Sequence, residues 1–429
     1  MNRVHPKINS RSLYIGLAII IVAMLLLFWL LNRSVLVFQI SPATAVVTID
    51  NKPLKLGSDG YLKTVVKPGA YTLKVEADGY VGVTEEIILK SVRTTKYETS
   101  LSQVPTPYEI KTGENVINNV DFVAEGDDFN TIFYFADNAS TLYKAKFSGG
   151  SDKIESIYNL PISNPPLKSI KDIIWSPKKE AALIVKDDGV YFFDFKKYNF
   201  VSQEEVLYGR DIGDIAWSPD DSKIAYYYAP VGGEHSLIFA NKTNTEMQRM
   251  LNFKDLGIEN PYLAWSPDSE WLIIIPRNKD RSSNKIYLFN AYTRAFSTIN
   301  EGGGNLEAVF SPDNSKILYS TYAASADTPV TSILSVMDKS GENKQSLNLY
   351  AHVGKSTWLK GSSEKFAVAT YDKATSSEAI FEYDLKNKQA SGFNLPLANN
   401  ITVKEILSYA NSNLLFYIAN NQFYVANLK

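Results

Sequence analysis

Ala216-Trp217-Ser218-Pro219-Asp220 is followed, after two polar residues, by the apolar run Lys223-Ile224-Ala225-Tyr226. The arrangement returns as Ala264-Trp265-Ser266-Pro267-Asp268 before Trp271-Leu272-Ile273-Ile274. It returns again as Val309-Phe310-Ser311-Pro312-Asp313 before Lys316-Ile317-Leu318-Tyr319, and Ile174-Trp175-Ser176-Pro177 is a fourth copy. The aromatic positions stand 42, 48 and 45 residues apart. A further strand follows in each repeat and ends near Asp or Asn, as in Tyr191-Phe192-Phe193-Asp194 and Ile286-Tyr287-Leu288-Phe289-Asn290. Self-similarity at this period, with four short strands per copy, predicts a β-propeller.

Weaker copies fill the rest of 108–429. Val120-Asp121-Phe122 precedes Thr131-Ile132-Phe133-Tyr134-Phe135, Thr357-Trp358-Leu359 precedes Phe366-Ala367-Val368, and Leu407-Ser408-Tyr409 precedes Leu414-Leu415-Phe416-Tyr417. That makes seven blades. The last copy has only three strands, and an open ring would leave an unpaired edge. Tyr108-Glu109-Ile110-Lys111, just ahead of the first copy, is predicted to supply the missing fourth strand.

The motif has a local mechanism. Proline suits position i+1 of a type I turn, and a serine at i can cap the backbone with its hydroxyl. The repeated aspartates therefore read as turn residues, and the Trp or Phe as a filler between neighbouring blades. The four aromatic-Ser-Pro sets, with Asp338-Lys339-Ser340-Gly341 before Leu347, resemble the WD-repeat-like blades of the TolB family. Where that family has glycine after the aspartate, this chain has Asp221, Ser269 or Asn314; Asp and Asn tolerate the left-handed conformation, so the turn should survive. The resemblance implies an architecture and no particular activity.

Ahead of the repeats, residues 35–102 alternate apolar and polar with about six short strands, predicting a small β-sandwich. Ile40-Ser41-Pro42, Val47-Thr48-Ile49-Asp50, Lys67-Pro68-Gly69-Ala70-Tyr71 and Ala77-Asp78-Gly79-Tyr80 resemble the PEGA domain family. That resemblance implies a non-catalytic β module. Gly69 and Gly79 are expected to supply backbone freedom at turns. Residues 103–107, with Pro105 and Pro107, read as a linker.

The run 13–31 has nineteen residues without a charge. At about 1.5 Å per residue it would span roughly 28 Å, close to a bilayer core. Arg3, Lys7 and Arg11 precede it. The expectation is an uncleaved, single-pass transmembrane anchor, with 1–12 as a cytoplasmic tail and both β domains extracytoplasmic at the cell membrane.

Composition narrows the function. A net charge of −2 gives no footprint for nucleic acid. With no cysteine, disulfides and thiolate chemistry are excluded. The histidines are His5, His235 and His352, without metal-ligand spacing, and no nucleophile elbow or phosphate loop occurs. No catalytic residue, metal or cofactor is expected. Recognition is expected on the variable loops 229–236, 276–284, 321–331 and 372–377, which should share one face. Glu234, His235, Arg277, Lys279, Arg281, Tyr322 and Asp327 are the candidate ligand-face residues. The expected function is non-enzymatic binding of a protein or cell-envelope polymer. The alternatives are a propeller hydrolase or lyase with acidic residues in the central channel, and a structural surface-layer component.

Overall fold

A computed structural model describes residues 19–22, 24, 32–80, 82–101, 103, strand segments between 107 and 161, 170–194, 206–277, 284–301, 304–322, 332–372, 377–398, 401–409 and 414–428. The chain divides into two compact units, Met1–Val104 and Pro105–Lys429.

In the first unit, Ser34–Ser41 alternates strictly, so that Leu36, Phe38 and Ile40 are buried. It lies between Tyr61–Val66, antiparallel, and Thr94–Ser100, parallel. A second sheet has the order Lys52–Leu54, Val46–Ile49, Gly69–Glu76, Val83–Leu89. Val47, Ile49, Leu73, Val75 and Leu89 complete a core with the first sheet. One strand was not legible as such. Asp50 and Asn51 take φ of 46° and 63° and close a two-residue hairpin, so Lys52 and Pro53 belong to a strand and not to the turn. Gly79 has the left-handed φ of 76° expected of it, whereas Gly69 simply opens a strand.

The expected anchor is corrected. Among the described residues no helix is long and apolar enough to cross a membrane. Within 13–31 only 19–22 and Met24 are described, as helical residues with exposed side chains, and the remainder lies outside the described residues, as does 1–12. Hydropathy reports composition and not the length of a continuous helix. The single-pass anchor and the localisation drawn from it are not supported.

In the second unit the described residues form seven four-stranded antiparallel sheets and one two-stranded hairpin. Their inner strands are Asp121–Glu125, Asp172–Trp175, Ile212–Trp217, Tyr262–Trp265, Asn305–Phe310, Ser356–Trp358 and Val403–Tyr409, here blades 1 to 7. Each inner strand packs on the next, with the 3-10 turn Val353–Lys355 between blades 5 and 6, and blade 7 returns to blade 1. The sheets therefore close into a ring, a seven-bladed β-propeller. Blade 7 is completed by Pro107–Glu109, which pairs antiparallel with Gln422–Asn427. Pro107 thus already belongs to the ring, while Gln103 bridges to Tyr80 in the first unit.

The apolar core lies between blades. Phe239 of blade 3 meets Trp265 of blade 4 at 5.1 Å, and the indole N–H of Trp265 donates to the Ala216 carbonyl at 2.9 Å. The Ser-Pro-Asp turns behave as their sequence indicates. Ser266 Oγ accepts from Trp271 N (2.9 Å) and donates to Asp268. Ser218 and Ser311 repeat this with Lys223 and Lys316. Asp221, Ser269 and Asn314 all have φ near 60°. Burial tends to raise the Asp220 carboxyl, but hydrogen bonds from Ser218 and Ser222 outweigh it and hold the group below the ordinary carboxylate range. These aspartates are committed to turns.

Candidate functional site

Each inner strand leaves one face of the ring and runs to a turn on the other, which in blades 2 to 5 is the Ser-Pro turn. The first half of every inner strand therefore lies near the face that carries the inter-blade connections. The loops after the second strands share this face: Ala229 N donates to Asp211 O, Arg277 N to Glu259 O, and Tyr322 N to Gly304 O.

Charged side chains gather where these strands begin. Asp172 opens the inner strand of blade 2; Asp214, Glu307 and Glu405 are each third in those of blades 3, 5 and 7. They interact around the axis. Asp172 acts on Asp214 and Glu405, and Glu307 acts on Asp214, Tyr262 and His352. Asp172 and Glu405 still touch water, but the protein around them displaces enough solvent to raise both carboxyls above the usual range. Asp214, whose side chain keeps 25% of its exposure, is pushed up to about 6. Burial is the main cause and Asp172 and Glu307 add to it, against Arg277 and the Leu263 N–H. His352 is lowered, chiefly by burial.

Arg277 enters this group from the loop after the second strand of blade 4. Its Nη1 stands 3.6 Å from Asp214 Oδ1, and its guanidinium lies 5.3 Å over the Tyr262 ring. Tyr262 donates its hydroxyl to the Ala308 carbonyl (3.1 Å), and Asp214 Oδ2 accepts from Leu263 N (2.7 Å). A cleft of about 480 Å³ opens beside them between blades 2 and 3, with Asp172, Asp214, Gly189, Gly213, Arg210 and Asn260 in its wall. A separate buried ion pair, Lys355–Glu378 at 2.5 Å, also uses Glu378 to accept from Val403 N (2.6 Å) and so ties blades 6 and 7. Among the described residues no group of three or more His, Asp or Glu could hold a metal ion.

Of the candidates named from sequence, Arg277 reaches the axial group. Glu234 instead pairs with Arg249 at 2.7 Å on an exposed stretch of the same face. His235 packs edge-on to Tyr227, its Nδ1 hydrogen-bonded to the Tyr227 hydroxyl (2.8 Å). Tyr322 is half-exposed at the end of its strand. Lys279, Arg281 and Asp327 lie outside the described residues.

The carboxylates were not singled out, although a signal exists. Asp172, Asp214, Tyr262, Glu307 and Lys355 each stand three residues before the motif aromatic, at Trp175, Trp217, Trp265, Phe310 and Trp358. A polar residue repeated at one register, within the inner strands of blades 2 to 5 and just ahead of that of blade 6, is the signal for this end of the strands. The acids of the Ser-Pro-Asp turns are the more regular feature of the sequence, and they lie on the opposite face.

No protein-family model matches the chain, so the PEGA resemblance of 35–102 is not shown, and no curated protein matches it either. Among solved structures it is similar to TolB from Acinetobacter baumannii at 13% identity and TM-score 0.41, covering 77% of each chain. It is similar to the tricorn protease at 9% and 0.48, covering 86% of this chain and 43% of that one. It is similar to an oligogalacturonate lyase in complex with manganese at 12% and 0.46, covering 76% and 83%. At such scores these likenesses carry nothing about activity or partners, and the propeller stands on its own strand order and closed ring.

Proposed function

We propose that this protein is a non-enzymatic binding propeller that takes a protein partner on its loop face, at the mouth of the ring. The observation that supports this is the convergence there of carboxylates from four blades, beside an open cleft. Grouped charge on a rigid scaffold steers and orients a partner. The test is site-specific photocrosslinking in cells from position 231, where Val231 is 99% exposed in a loop on that face, and from the exposed Glu270 position in a Ser-Pro turn on the other. A discrete adduct is expected from position 231 and not from 270. Equal labelling from both positions, or none from 231, rejects the reading.

One observation favours a second reading, an enzyme. A carboxyl held near 6 beside an arginine suits general acid-base work. Turnover of a glycan or peptide that disappears in Asp214→Asn would replace the binding role by catalysis.

A further inference from the structure

The cleft between blades 2 and 3 specifies the chemistry of that partner. At its axial end Asp172 uses Oδ1 to accept from Ile173 N (2.8 Å), while its other oxygen has no hydrogen bond or ion pair among the described residues. Asp214 likewise uses Oδ2 on a backbone N–H, and its Oδ1 faces Arg277 at 3.6 Å, beyond hydrogen-bonding reach. Arg277 is thus a loosely held partner for these two carboxylates, and over the whole lining Asp172, Asp187, Asp188, Asp211 and Asp214 outnumber the cations Lys171, Lys186 and Arg210. An anionic ligand would meet this excess of negative charge and be repelled.

The place already accommodates a guanidinium. Arg277 lies over the face of Tyr262 with Asp214 beside it, an aromatic ring and a carboxylate holding one planar cation. Next to it the cleft of about 480 Å³ is larger than one side chain needs. Gly189 and Gly213 leave bare backbone in its wall, and at Gly213 a Cβ would come within 2.7 Å of the Tyr227 ring. On the rim Lys171 is already neutralised by Asp187 at 2.8 Å.

We infer that the cleft binds a basic side chain, arginine or lysine, carried by an extended segment of a partner polypeptide, with its cation between Asp172 and Asp214 and its backbone along Gly189, Gly213 and Asn260. This rests on the loop face being the binding face. Arg277, over the Tyr262 ring and facing Asp214 Oδ1 from outside the cleft lining, is then a positioning residue for that carboxylate.

The test is calorimetric titration of the full chain with end-blocked Gly-Gly-Xaa-Gly-Gly peptides, where Xaa is arginine, lysine or the neutral isostere citrulline. The arginine or lysine peptide should saturate one site at least tenfold more tightly than the citrulline peptide. Asp172→Asn and Asp214→Asn should each weaken the charged peptide about tenfold, whereas Glu234→Gln, on the same face but outside the cleft, should not. Citrulline binding as tight as arginine, insensitivity to both variants, or no saturable binding would each overturn the inference. The citrulline comparison needs no variant, so a folding defect cannot mask the result. Loop-face crosslinks that persist without peptide selectivity overturn the basic-side-chain assignment alone; loss of those crosslinks overturns the binding reading itself.

Discussion

At the scale of the residue, aspartates of one chemical type have opposite roles set by surroundings. Asp220 accepts from Ser218 and Ser222 and is held low, while Asp214 is held high, chiefly by burial and in smaller part by two neighbouring carboxylates. The sign of the consequence follows by linkage. With a folded pKa of about 6 above an unfolded value of about 3.9, the native state binds the Asp214 proton more tightly than the unfolded chain. Its contribution to stability is therefore fully present below about pH 4 and is lost as pH rises through about 6. In Asp214→Asn that share of the pH dependence should vanish from urea-unfolding midpoints measured between pH 4 and 7. Carboxyl NMR titration should place Asp214 near 6, and Arg277→Ala should move it higher, because the cation that opposes the rise is gone. A fall on removing Arg277 would contradict the site as described.

At the scale of the element, the repeat decides strands locally but stability arises between blades. Trp265 joins the Phe239 ring and the Ala216 carbonyl, both in blade 3. Trp265→Phe keeps an aromatic ring and removes the donor, and should cost about 1 kcal/mol, read from chemical denaturation. Trp265→Ala should cost about 3 kcal/mol or more, since the inter-blade packing goes too. If the two variants are equally mild, the indole is not the tie between these blades.

At the scale of the whole molecule, the ring is closed by a strand drawn from the far end of the same unit. Tyr108 pairs with Val425 in the register of blade 7. The chain has no cysteine, so Tyr108→Cys with Val425→Cys adds a lone, unambiguous pair. It should form a disulfide on oxidation and raise stability by about 3–5 kcal/mol, given the long loop it closes. The gain should disappear on reduction. Failure to form would mean that blade 7 is not completed by Pro107–Glu109.

What the sequence by itself determined was whatever depends on neighbours in the chain. The Trp-Ser-Pro-Asp register gave the blades, the turns and the reading of their aspartates, because a Ser-Pro turn and a period-two strand are set within a few residues. The partner of the last three strands was also legible, since an open ring leaves one strand unpaired. The site was only partly legible. Arg277 is legible as a residue of a variable loop, but its place beside Asp214 and Tyr262 depends on blades 3 and 4 meeting, and the Asp172–Glu405 interaction on blades 2 and 7 coming near one another across the ring. Hydropathy over 13–31 suggested a membrane helix, and tertiary structure supplied none among the described residues. Short-range sterics and hydrogen bonding write the strands into the sequence. Charges brought together from blades far apart in the chain acquire their pKa values, and their use, only when the ring has closed.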